Sequence, residues 1–129
     1  MVKLLMIADD FTGALDTGVQ FAKRGISTQI FTKQKLCEKD IKEDTEVLVV
    51  DTESRPMTRD DAYRAVYDLA CWAVRHGVEI IFKKTDSALR GNIGAELQAV
   101  LDAGKSHRLF FFPGYPQIGR ITRNGIHYI

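Results

Sequence analysis

The stretch 84-KTDSALRGN-92 places Lys84, Thr85, Asp86, Ser87 and Arg90 within seven residues. It follows the apolar run EIIF and leads into a segment of helical period, so it sits where a strand passes into a helix. The free N–H groups of a helix start form an anion site, to which Arg90 adds a charge-assisted bond while Gly91 permits close approach. Asp86 repels an anion; it suits the hydroxyls of a sugar-like ligand, or holds Lys84 or Arg90 in place. The structural alternative is an Asx/Ser turn with Asn92 as helix cap. That alternative accounts well for Ser87 and Asn92 and less well for Lys84 and Arg90.

Three further clusters carry comparable chemistry. Asp9 and Asp10 follow the apolar run VKLLMIA. Adjacent carboxylates can hold a substrate hydroxyl, take a proton or bind Mg²⁺ through oxygen, and one of them can cap the next helix. Asp51, Glu53, Ser54 and Arg55 follow EVLVV, and the planar fork of Arg55 suits a carboxylate or phosphate. The last cluster, PGYPQIGR, contains Tyr115 and Arg120, with Arg123 and His127 beyond it. His127 is a residue type able to carry protons near neutral pH, but no acid partner or nucleophile stands beside it in the sequence.

The elements between these clusters alternate. Strands are predicted at 2–8, 28–32, 46–52, 78–84 and 108–112, the last with Phe110, Phe111 and Phe112 in the core. Helices are predicted between them. Thr12 is a candidate cap for the first, whose stripe is Leu15, Val19 and Ala22, with Gly25 as its stop. Thr58 and Asp61 form a capping-box pattern ahead of Ala62, Val66, Leu69 and Ala73. Ile93, Leu97 and Val100 mark the third. Asn124-Gly125 between β-prone runs predicts a hairpin. This order implies an α/β domain, a mostly parallel sheet with helices on both faces and a C-terminal β-hairpin. In such sheets ligands bind beyond the carboxyl ends of the strands, where all four polar clusters fall. The chain ends at Ile129, directly after the hairpin signal, which reads as an incomplete domain.

Composition narrows the classes. The 129 residues are 45% hydrophobic and 27% charged, which suits a folded domain with a real core. A formal charge of +1 gives no reason to expect a nucleic acid partner. Cys37 and Cys71 lack metal spacing and read as free thiols. The first apolar run is cut short by Asp9 and Asp10 and cannot span a bilayer, so the cytoplasm is the default location and no membrane partner is expected. No Gly-rich dinucleotide turn, Walker phosphate loop or GxSxG elbow occurs, and no metal site is predicted. Two alternatives remain: a sugar-acid-binding module without chemistry, and a receiver-type domain phosphorylated on Asp51. The receiver lacks its lysine after the last parallel strand and carries a hairpin where its last helix belongs.

IADDFTGALDTGVQFAKRG, VVDTESRPM, FKKTDSALRGNIGAEL and FFPGYPQIGRITRNGIHY occur in order along nearly the whole chain. Together they resemble the N-terminal domain of the four-carbon acid sugar kinases. The resemblance implies an ATP- and Mg²⁺-dependent kinase acting on acids such as threonate or erythronate. This α/β domain would bind the acid, and a separate C-terminal domain, absent from the chain, would supply most of the nucleotide site. It further implies that Asp9 or Asp10, Arg55, Lys84, Thr85, Asp86 and Ser87 bind substrate, with Arg90 and Arg120 on the same surface. The catalytic base is not assigned, and self-association is left open. The chain alone is expected to show no ATP-dependent turnover.

Overall fold

The computed structural model describes residues 1–32 and 36–129. Lys33, Gln34 and Lys35, part of the polar segment before the second buried strand, lie outside the described residues. The elements run β1 (Leu4–Ala8), α1 (Phe11–Ala22), β2 (Thr28–Phe31), β3 (Val47–Asp51), α2 (Arg59–Arg75), β4 (Ile80–Lys84), α3 (Ile93–Gly104), β5 (Ile121–Arg123) and β6 (Ile126–Tyr128). Short 3₁₀ turns occupy Glu38–Asp40 and Pro116–Ile118.

β1 to β4 form one parallel sheet in the order β2-β3-β1-β4, with Ala8 level with Asp51 on one side and Lys84 on the other. That register brings three sequence-distant loops to one edge. β3 is buried throughout and β1 nearly so, which suits continuous apolar runs covered on both faces. Leu5, Ile7, Leu48 and Val50 pack under α2 and α3, whereas Met6, Ala8, Val47 and Val49 pack with Ala14 of α1. Helices therefore cover both faces, as the alternating pattern predicts.

α2 begins at Thr58, whose hydroxyl accepts from the Asp61 amide, and it buries the predicted Ala62, Val66, Leu69 and Ala73. α1 does not follow its predicted stripe. Leu15, Val19 and Ala22 are exposed, while Gly13, Ala14 and Gly18 face the sheet. A Cβ on Gly18 would stand 3.0 Å from Ile30 Cδ1 and 3.4 Å from Val49 Cγ2, so only a small-residue face approaches this closely. Two faces of α1 satisfy a helical period, and packing distance chooses between them. Its cap is Asp10, accepting from the Gly13 amide, and not Thr12.

The run 108–112 forms no strand, and Phe110 and Phe112 are more than four-fifths exposed, with rings stacked 6.4 Å apart. An unbroken aromatic run has the propensity of a buried strand, yet a strand also needs a ladder partner, and among the described residues β4 pairs only with β1. The hairpin forms as predicted, with Asn124 and Gly125 both at positive φ. Cys37 and Cys71 are free. Among the described residues no helix is long and apolar enough to cross a membrane.

Candidate functional site

At the carboxyl edge of the sheet, Arg55 bridges the loops after β3 and β1. Its Nε lies 2.9 Å from Asp9 Oδ2 and its Nη1 lies 2.9 Å from Asp10 Oδ2. Its amide also donates to the Asp9 carbonyl at 3.2 Å. Asp10 thus divides its carboxylate, with Oδ1 capping α1 at 2.9 Å and Oδ2 holding the arginine. One oxygen is thus the helix cap expected of an aspartate here, and the other is an ion-pair partner of Arg55. Asp9 is 2% exposed, and its Oδ1 is buried without a hydrogen-bond partner among the described residues.

These residues line an open cleft of about 520 Å³ together with Phe11, Glu53, Pro56 and Met57. Glu53 stands at positive φ (48°), its amide donating to Asp51 Oδ1 at 2.9 Å. The other oxygen of Asp51 is buried and unbonded among the described residues, and burial raises its carboxyl above the ordinary range. Such a carboxyl, 1% exposed, is closed to a phosphodonor, which sets the receiver reading aside.

The 84–92 loop forms the adjoining wall. Gly91 has φ +93°, and a Cβ there would meet Arg55 Cγ at 3.2 Å and Cα at 3.5 Å. Only glycine serves both demands, so its close approach is to Arg55. Asp86 is 5% exposed and pairs with Arg90 through Nε and Nη2 as well as the Arg90 amide. The Arg90 side-chain bond, aided by the Arg90 and Ala88 amides against the effect of burial, holds the Asp86 carboxyl well below the usual carboxylate range. Asn92 is not a side-chain cap for α3; its Nδ2 donates to the carbonyls of Ser54 (3.2 Å) and Met57 (3.0 Å), fastening this loop to the one after β3.

Lys84 turns toward the start of α1. Its Nζ donates to the Thr85 carbonyl at 2.7 Å and lies 3.2 Å from where a Cβ on Gly13 would stand. Ser87 is gripped by the hairpin: Arg120 Nη1 reaches its hydroxyl at 2.6 Å and His127 Nε2 its carbonyl at 2.7 Å. The other His127 nitrogen meets Thr122 Oγ1 at 2.8 Å, so the imidazole ties the hairpin down. Asp9, Asp10 and Arg55 therefore share the cleft. Lys84, Thr85, Asp86, Ser87, Arg90 and Arg120 stand in the neighbouring wall, outside the set that lines it.

A buried polar chain beneath the site escapes sequence reasoning. Lys83 Nζ lies 2.8 Å from Glu96 Oε2, with side chains 2% and 1% exposed, and also donates to the Lys84 carbonyl at 2.8 Å. Glu96 Oε1 accepts from Ser54 Oγ. The signal was present: Glu96 falls at i, i+3 and i+7 with Ala99 and Ala103, the residues of α3 that are buried. As for Mg²⁺, Asp9 and Asp10 each give an oxygen to Arg55, and among the described residues no three His, Cys, Asp or Glu side chains converge as a metal set. The cleft's own carboxylates do not fit that ion.

Comparison with known proteins agrees with this architecture. The chain matches the sugar-binding N-terminal domain family over residues 4–129. It is 41% identical over 127 residues to a D-threonate kinase of Salmonella typhimurium, covering 96% of this chain and 29% of that protein. It is 34% identical over 126 residues to a D-erythronate kinase of Heliobacterium modesticaldum, covering 97% and 29%. A crystal structure of a domain of unknown function from Bordetella bronchiseptica, a domain-swapped dimer with bound citrate, superposes with a TM-score of 0.88 at 35% identity, covering 98% of this chain and 32% of that one. The chain spans about 29% of the length of these two kinases. With a match from Leu4 to the last residue and the parallel sheet that carries it, this chain belongs to the sugar-binding N-terminal domain family of the four-carbon acid sugar kinases.

Proposed function

We propose that this domain binds the acid substrate of an ATP- and Mg²⁺-dependent four-carbon sugar-acid kinase, a threonate- or erythronate-like molecule, in the cleft beside Arg55. The remaining length of such a kinase supplies the nucleotide site. The observation that carries the reading is the Arg55 guanidinium held between Asp9 and Asp10 at the carboxyl edge of a parallel sheet. A polyhydroxy acid asks for two chemistries. Its hydroxyls need acceptors, which the partly exposed carboxylate of Asp10 supplies, while the buried Asp9 holds Arg55 in place. Its carboxylate needs cations or amides, for which the remaining donors of Arg55 and the ammonium of Lys84 are suited, with Thr85, Ser87, Arg90 and Arg120 completing the wall. Asp86 acts through Arg90, keeping that guanidinium over the loop. Citrate, bound in the Bordetella bronchiseptica relative, is itself a small hydroxy acid and supports this ligand class.

Isothermal titration calorimetry with D-threonate, D-erythronate and neutral erythritol tests the reading. Saturable heats are expected with at least one acid and none with the polyol. Equal affinity for erythritol, or no binding of either acid, overturns it. Formation of a phosphorylated acid from ATP by the full-length protein separates a kinase from a module that only binds.

A further inference from the structure

The buried chain beneath the cleft connects the segments that follow β1, β3 and β4. Thr52 Oγ1 donates to the Ala8 carbonyl at 2.7 Å and lies 2.8 Å from Ser54 Oγ. Ser54 Oγ donates to Glu96, and Lys83 closes the chain between Glu96 and the Lys84 carbonyl. Ala8 immediately precedes Asp9, Ser54 immediately precedes Arg55, and Lys83 and Lys84 open the 84–92 loop. Glu96 stands in the first turn of α3, where that loop ends. Thr52, Ser54, Lys83 and Glu96 are all essentially buried, so water does not compete for these bonds.

Stability does not account for such a set. Two opposite charges removed from water lose about as much in desolvation as they gain by attraction, and a well-packed apolar pair of the same size folds at least as well. What the apolar pair cannot do is fix three loops in one mutual geometry through directional bonds at their first residues. We propose that Lys83, Glu96 and Ser54 are positioning residues, which set Asp9, Arg55 and the 84–92 loop at the spacing the acid requires. This rests on the reading that the cleft beside Arg55 takes the sugar acid. Glu96 is the keystone, because its two oxygens receive the β3 loop from one side and the end of β4 from the other.

The test compares the wild-type full chain with the double variant Lys83→Met/Glu96→Leu and the single variant Ser54→Ala. Thermal unfolding and calorimetric Kd for D-threonate and D-erythronate are read on each. The double variant is expected to unfold at or above the wild-type temperature, while its Kd rises on the order of tenfold to a hundredfold, the range typical when residues that orient a binding group are lost. Ser54→Ala, which leaves the ion pair in place, is expected to weaken binding in the same direction. A folded double variant with wild-type Kd overturns the proposal. Should the double variant fail to fold, Ser54→Ala decides: unchanged affinity in that folded single variant overturns it equally. Absence of binding by the wild-type chain overturns the acid-binding reading and this inference with it, whereas loss confined to the variants supports both.

Discussion

Replacing Arg55 by methionine removes the charge that two aspartates share while keeping the stem that packs on Gly91. Removing one partner of a buried pair costs about 3–5 kcal/mol, because the remaining charge is left without compensation. Here Asp9 is 3% exposed at its side chain, but Arg55 and Asp10 are 22% and 30% exposed. Water can therefore solvate Asp10, and a loss of about 2–4 kcal/mol is expected. An unfolding entropy of about 2.1 cal/mol/K per residue, taken over the chain, converts this to a fall in Tm of about 7–15 °C. Asp10→Asn provides the contrast. Asparagine caps a helix as well as aspartate, and the pair it breaks is partly solvated, so its cost is below about 1 kcal/mol. Differential scanning calorimetry of the three proteins reads these values at neutral pH. If Arg55→Met melts within about 2 °C of wild type, Arg55 does not neutralise Asp9 and the charge arrangement at the cleft is wrong.

Gly91→Ala places a Cβ 3.2 Å from Arg55 Cγ at φ +93°, so it should cost about 1–3 kcal/mol and also weaken acid binding; chemical denaturation and calorimetry together check this. Asp86→Asn should reveal a stability term with a defined pH dependence, since the folded carboxyl is held low by the Arg90 bond, then the Arg90 and Ala88 amides. That term is fully present above the unfolded carboxylate pKa of about 3.9 and disappears as pH falls below it. The wild type and Asp86→Asn should therefore differ by a constant amount above about pH 5 and converge in acid, which urea denaturation at several pH values measures. Tyr63 is pushed up to about 12 by its hydrogen bond to Asp102, with burial and the Asp102 charge adding to it. Asp102→Asn should bring the Tyr63 phenol back toward its ordinary value in an ultraviolet pH titration; an unchanged titration removes that bond from the account.

Much of the architecture was legible because it is written in local periods. The apolar runs of β1 and β3, the capping pattern before α2 and the Asn124-Gly125 turn each determine their own conformation through neighbours in sequence. Two local patterns misled. α1 offered two helical faces, and the tight approach of Gly18 to Ile30 selected the one with smaller side chains. The aromatic run at 110–112 had strand propensity, but a strand is a property of a pair of segments, and none of the sheet's ladders includes it. Asn92 shows the same limit on a smaller scale: its residue type suits a cap, and its amide instead spans two loops.

By itself the sequence determined the alternation of strands and helices, and hence that Asp9, Asp10, Arg55 and the 84–92 stretch arrive at one edge of a parallel sheet. That follows because strand order along the chain and the handed crossover leave polar loops at the carboxyl ends. Only the tertiary structure decided what those residues do to one another. The fork of Arg55 closes on Asp9 and Asp10 across more than forty residues, Ser87 is held by a hairpin, and Lys83 turns inward to Glu96 while Lys84 faces α1. Adjacent residues of a strand point to opposite faces, so a one-residue difference in register separates the lysine of a buried ion pair from the lysine that faces α1. Such pairings depend on distances between elements, which no local pattern encodes.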